Sequence, residues 1–206
     1  MKLVAIYGSP RKDGNTDLMM ESFLSGASET GELEVEKIYV RKLNISGCLG
    51  CGGCDEQGIC VQRDDMDRVY PLLNAAERVV VASPIYFYGL TGQLKLLVDR
   101  SQACFMGNLK KRAAGAGVQS GSAADRKGFL LCAGATRGKR LFECAILTAQ
   151  YFFDALAIEH SGELCFRQID GKGDIKMHPT ALEDCRSAGR EFVRRTEANS
   201  RGGGGI

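Results

Sequence analysis

The chain has 206 residues, 44% hydrophobic and 25% charged, which suits one globular domain with a substantial core. Its formal net charge is +2 with no basic tract, so nucleic-acid recognition through a charged face is not expected. No apolar run approaches the roughly 20 residues that span a bilayer, and no membrane partner is expected.

In chain order, Lys2–Tyr7 is a short, nearly unbroken apolar run that reads as a strand rather than a signal peptide. A cytoplasmic protein is therefore expected. Met19, Met20, Phe23, Leu24 and Ala27 recur at three and four residues, marking a helix that Gly31 can end. Residues 34–40 read as a second strand, followed by a glycine- and cysteine-rich insertion over 44–64. A helix over 65–76, a strand over 78–82 and a helix over 91–101 come next. Residues 106–127, rich in Gly, Ala, Ser and charge without clear period, read as a long loop. Residues 128–133 and 155–160 read as strands around a helix over 139–154. A final helix over 179–196 opens on an early proline. Residues 1–198 are expected to form one domain, with 199–206 a frayed tail. Runs of this kind suit strands covered on both faces, and the alternation implies a doubly wound α/β parallel sheet.

Strand one runs into Gly8-Ser9-Pro10-Arg11-Lys12-Asp13-Gly14-Asn15-Thr16, and a helix follows at once. Doubly wound sheets bind ligands beyond the carboxyl ends of their strands, and a helix N-terminus there suits a phosphate. Ser9, Asn15 and Thr16 add neutral donors, and Arg11 adds a charged fork. A Walker A ending is missing, strand three ends in Ser83 rather than a magnesium-binding Asp, and G-x-G-x-x-G is absent. A single phosphate held without metal, as in FMN, fits what remains; a loop that merely caps the helix is the alternative.

Strand three continues into Ser83-Pro84-Ile85-Tyr86-Phe87-Tyr88-Gly89-Leu90-Thr91-Gly92. Pro84 removes a donor and bends the chain off the sheet, and Gly89 and Gly92 permit close backbone approach. The aromatics between them can cover a flat ring, or pack on the core or a subunit interface. Ala133-Gly134 at the end of strand four offers a weaker third contact.

Nine cysteines occur, and Cys48, Cys51, Cys54 and Cys60 crowd one glycine-rich loop. Thiols at intervals of three let a short loop turn its sulfurs inward, as a [4Fe-4S] site requires. A structural zinc, redox thiols or disulfides, and a loop that holds no cluster remain open. The other cysteines read as small buried hydrophobes, and the odd total argues against full disulfide pairing.

These loops resemble those of the NAD(P)H-dependent FMN reductase and flavodoxin-like superfamily, with its G-S-x-R-x-x-[GS]-[NF]-[TS] and S-P-x-Y-x-x motifs. With C-x₂-C-x₂-C-x₅-C between them, the sequence is similar to the iron–sulfur flavoprotein branch. The resemblance implies a flavodoxin-like five-stranded parallel sheet of order 2-1-3-4-5. It implies that Ser9, Arg11, Gly14, Asn15 and Thr16 hold the FMN phosphate. Pro84, Ile85, Tyr86, Phe87 and Gly134 would then meet the ring, and the four clustered cysteines a [4Fe-4S] cluster. It further implies NAD(P)H or ferredoxin as electron donor and a homodimer or homotetramer. No protein side chain is expected to act as a catalytic acid or base, because the flavin carries the electrons. The rival readings are an FMN or quinone reductase without a functional cluster and a non-enzymatic, flavodoxin-like electron carrier.

Overall fold

The computed structural model describes residues 1–114 and 125–194. Five parallel strands, β1 (Lys2–Tyr7), β2 (Glu34–Tyr39), β3 (Arg78–Pro84), β4 (Lys127–Gly134) and β5 (Glu159–Arg167), lie in the order β2-β1-β3-β4-β5. The helices are α1 (Asn15–Ser28), α2 (Met66–Ala75), α3 (Gly92–Arg100), α4 (Gln102–Ala113), α5 (Glu143–Ala155) and α6 (Ala181–Phe192). The sheet is thus the expected flavodoxin-like doubly wound arrangement, and its order reverses between β1 and β3.

Alternation along the central strands divides the core into two layers. Leu3, Ala5 and Tyr7 of β1 face α1 and α6, whereas Val4 and Ile6 face residues of α2, α3 and α5. On the first face α1 and α6 cross at their glycines. A Cβ on Gly26 would collide with the Arg186 carbonyl, and one on Gly189 with the Phe23 carbonyl. No helix among the described residues is long and apolar enough to cross a membrane.

Several boundaries differ from the sequence reading. The last strand is Glu159–Arg167 rather than 155–160, and Ala155 is the end of α5. As an edge strand, β5 alternates exposed Glu159, Ser161 and Glu163 with partly buried His160, Gly162 and Leu164 instead of forming an apolar run. Residues 106–113 of the expected 106–127 loop belong to helix α4, whose Gly107 lies against Gly58. Residues 115–124 of that loop, the tail and the end of the 179–196 helix lie outside the described residues. α1 ends at Ser28, where the Glu29 N–H closes on Gly26 and Ala27 carbonyls, before Gly31. β3 does not bend away at Pro84: pairing continues until the Ile85 N–H donates to the Ala133 carbonyl at 2.9 Å. All nine cysteines are free thiols; Cys104, Cys132 and Cys185 are buried as expected, but Cys144 is exposed on α5.

Candidate functional site

The first loop leaves β1 and is drawn against the second by Thr91. The Thr91 hydroxyl donates to the Gly8 carbonyl at 2.6 Å and accepts from the Leu94 N–H at 3.3 Å, capping α3 in the same stroke. Nothing in the local pattern around Thr91 predicted that it would join the first loop to the second. The Ser9 hydroxyl is buried and accepts from the Arg11 N–H at 3.1 Å. Gly14 precedes α1 and brings no side-chain cap, so the first N–H groups of the helix have no intrahelical acceptor. Thr16 is buried at 1% exposure, and its hydroxyl has no hydrogen-bond partner among the described residues.

Behind this loop, Asp17 accepts from the Asp13 N–H at 3.0 Å and pairs with Arg41 at 2.9 Å. Arg41 also donates to the Ser9 carbonyl at 3.2 Å. Burial pushes the Asp17 carboxyl up, against the opposing pull of Arg41. The pair fixes the loop from the side away from the cleft.

The Asn15 side chain is engaged elsewhere than the sequence reading placed it. Its amide nitrogen donates to the Gly171 carbonyl at 2.8 Å, and its oxygen accepts from the N–H groups of Gly173 (2.9 Å) and Ile175 (3.2 Å). The segment after β5 thereby becomes a third wall of the cleft. Ser9, Arg11, Gly14, Asn15, Thr16, Pro84, Ile85, Tyr86 and Gly134 all line that cleft, together with Ala133, Ala135, Ile169, Asp170 and Lys172. Its enclosed volume is about 80 Å³. That is well below the several hundred cubic ångströms of a pocket that swallows a drug-sized ligand, so it would hold one end of a nucleotide and leave the rest outside. Larger grooves lie between α3, α4 and α5 and beside the cysteine loop, away from the strand ends.

Phe87 does not line the cleft; it stands beyond it, fully exposed. Tyr86 and Gly89 exchange two backbone hydrogen bonds of 3.0 Å, closing a tight turn with Phe87 and Tyr88 at φ 47° and 64°. Left-handed conformation at two successive residues is the mark of a primed turn and normally falls to Asn or Gly. The glycines singled out in this loop do something else. Gly89 does not adopt a positive φ, and a Cβ on Gly92 would meet open space. The strained backbone belongs to the aromatic residues.

In the cysteine loop, Gly50 and Gly52 adopt φ of 61° and 71°, interleaved between Cys48, Cys51 and Cys54. Cys48 and Cys51 are exposed, while Cys54 and Cys60 are partly buried. Burial pushes the Cys54 thiol up, and Asp55 and the thiols of Cys60 and Cys48 add to the push. Among the described residues no three His, Cys, Asp or Glu side chains are placed to close on a single metal ion. A four-iron cluster instead takes each thiolate on its own iron. The four free thiols on a loop with left-handed glycines fit that group by donor chemistry.

The neck of the loop is held by a pair that sequence reasoning missed. Arg100, at the end of α3 with its side chain fully buried, donates to Asp64 at 2.5 Å and to the Ser46 carbonyl at 2.9 Å. Asp64 in turn accepts from the N–H groups of Ser46 (3.0 Å) and Met66 (2.9 Å). Both ends of the insertion are thus tied to one guanidinium.

A family model described as NADPH-dependent FMN reductase matches residues 1–132. The chain belongs to the NADPH-dependent FMN reductase family. Within the family, its curated relatives include an iron–sulfur flavoprotein of Archaeoglobus fulgidus, 44% identical over 100 residues that make up 48% of this chain and 45% of that protein. Another iron–sulfur flavoprotein, from Methanocaldococcus jannaschii, is 36% identical over 122 residues, 59% of this chain and 63% of the relative. This FMN reductase family member thus aligns with about half to two thirds of the length of those relatives. The solved NAD(P)H:quinone oxidoreductase of Methanothermobacter marburgensis superposes with a TM-score of 0.68 at 16% identity, covering 96% of this chain and 98% of that one. At that identity the likeness is one of fold.

Proposed function

We propose that this chain is an FMN-dependent oxidoreductase that moves electrons between an NAD(P)H or ferredoxin-type donor and a further acceptor. The observation that carries the reading is the buried, unpartnered Thr16 hydroxyl at an uncapped helix N-terminus, where the sheet order reverses. Such a corner supplies polar groups that await an anionic oxygen. Ser9, Arg11, Thr16 and the first N–H groups of α1 would hold the phosphate. Pro84, Ile85, Tyr86 and Gly134 would meet the ring where it leaves the cleft, with Phe87 covering it from outside. Bound FMN would supply two-electron exchange with the donor. The protein's part is to fix the ring, shield one face and set access.

Cys48, Cys51, Cys54 and Cys60 would hold a [4Fe-4S] cluster, which supplies single-electron exchange when bound. Assembly as a homodimer or homotetramer accompanies this reading through the family resemblance. A second reading, a flavin reductase whose cysteine loop holds nothing, draws on one observation: Arg100 and Asp64 tie the loop without any metal. An anaerobic absorption spectrum with iron, sulfide and flavin assays tests both. Flavin with about four irons per chain supports the main reading, flavin without iron favours the second, and a colourless protein that takes up no FMN defeats both.

A further inference from the structure

We infer that the loop after β5 is a built second jaw of the phosphate site, and that its Lys172 makes the cleft prefer a phosphorylated flavin. The inference rests on the FMN reading and adds a specificity-determining residue to it. No part of the first loop or of the motifs around it contains this residue.

The loop is fixed before any ligand arrives. Both ends of the Asn15 amide grip it, at Gly171 on one side and at Gly173 and Ile175 on the other. Inside the loop, Asp174 accepts from the N–H groups of Gly171 (2.6 Å) and Asp170 (3.3 Å). Ile175 is fully buried and anchors its far end in the α1–α6 layer. Arg11 donates to the Asp170 carbonyl at 3.3 Å, closing the loop onto the phosphate loop itself. A segment so constrained presents its side chains without a large ordering cost on binding.

Charge decides what it presents them to. A flavin phosphate carries about −1.5 to −2 at neutral pH. The helix end supplies the equivalent of roughly half a positive charge, and Arg11 one more. Asp170 is the carboxylate on the cleft wall and opposes them. Lys172 lines the same cleft and makes no ion pair among the described residues. Among the described residues it is the remaining cation on that wall, and its addition brings the wall close to neutralising a dianion. Riboflavin has the same ring and no phosphate, so Lys172 should not affect its binding.

The test is a fluorescence titration of the full chain, freed of flavin, with FMN and with riboflavin. Wild type should prefer FMN. Lys172→Gln should weaken FMN by about tenfold, the lower end for a charge-assisted contact because the side chain is exposed, and leave riboflavin unchanged. Lys172→Arg should keep most of the preference. Equal weakening of both flavins, or no change in either, overturns the inference while leaving the FMN reading intact. If wild type binds neither flavin, the FMN reading itself fails and this inference with it.

Discussion

Thr16 is an uneconomical residue in the flavin-free chain. Its buried, unmet hydroxyl costs on the order of 1–3 kcal/mol, which a ligand oxygen would recover. Thr16→Val keeps the branched shape and removes the unmet group. The flavin-free variant is expected to melt at or above wild type, with FMN affinity lowered about three- to tenfold. Melts with and without FMN check both arms; a lower melting point with undiminished affinity would refute the assignment. Phe87 is the converse case, a fully exposed aromatic at φ 47° with no packing return for its strain. Phe87→Gly should leave stability unchanged or raise it by about 1 kcal/mol. Flavin fluorescence in the complex should be less quenched, because the ring loses its outer cover. A destabilised variant would mean that Phe87 is structural.

At the level of elements, the cysteine loop hangs from the Arg100–Asp64 pair. Arg100→Leu strands a buried carboxylate and is expected to cost about 3–5 kcal/mol, whereas adding Asp64→Leu should recover much of the loss. Chemical denaturation of the single and double variants decides this, and equal losses in both would reject the pairing. Burial alone would raise the Asp64 carboxyl, but donation from Arg100, Met66 and Ser46 outweighs it and holds the carboxyl below its ordinary value. Its contribution is therefore present above the unfolded pKa of roughly 3.9 and is lost as pH falls through the folded one. Melting points between pH 5 and pH 3 should fall less in Asp64→Asn than in wild type. This pair was invisible in the sequence because Arg100 and Asp64 lie on different elements, and neither stands in a motif. The central strands β1, β3 and β4 were legible because both their faces are covered. β5 was misplaced because exposed Glu159, Ser161 and Glu163 break up its start, while the apolar stretch 155–158 just before it belongs to the end of α5 and the turn that follows. α4 was missed because Gly107 interrupts its pattern; the tight partner in that contact is Gly58, where a Cβ would collide with the Gly107 Cα. In the cleft, the residues of each contiguous loop could be read, whereas Thr91, Lys172 and the grip of Asn15 arise from the folded chain alone.

Across the whole molecule, the cleft and the cysteine loop are held by different means. The cleft is built from the ends of β1, β3 and β4 and a loop anchored in the α1–α6 layer, so filling it should stabilise the entire domain. FMN at a hundredfold excess over its dissociation constant is expected to add about 2.7 kcal/mol, with the melting point rising accordingly. The cysteine loop exposes Leu49, Ile59 and Val61; its neck is polar, with Ile45 at its base on the core and Gly58 against Gly107 of α4. Removing the proposed cluster's iron with a chelator under anaerobic conditions should leave the FMN-dependent rise in melting point intact and shift the midpoint little. The two effects should add, since among the described residues the groups that fix the loop neck share no partner with those that fix the first loop. Loss of flavin on chelation would instead show the two sites to be energetically joined, and the separate anchoring of the loop by Arg100 would no longer account for its independence.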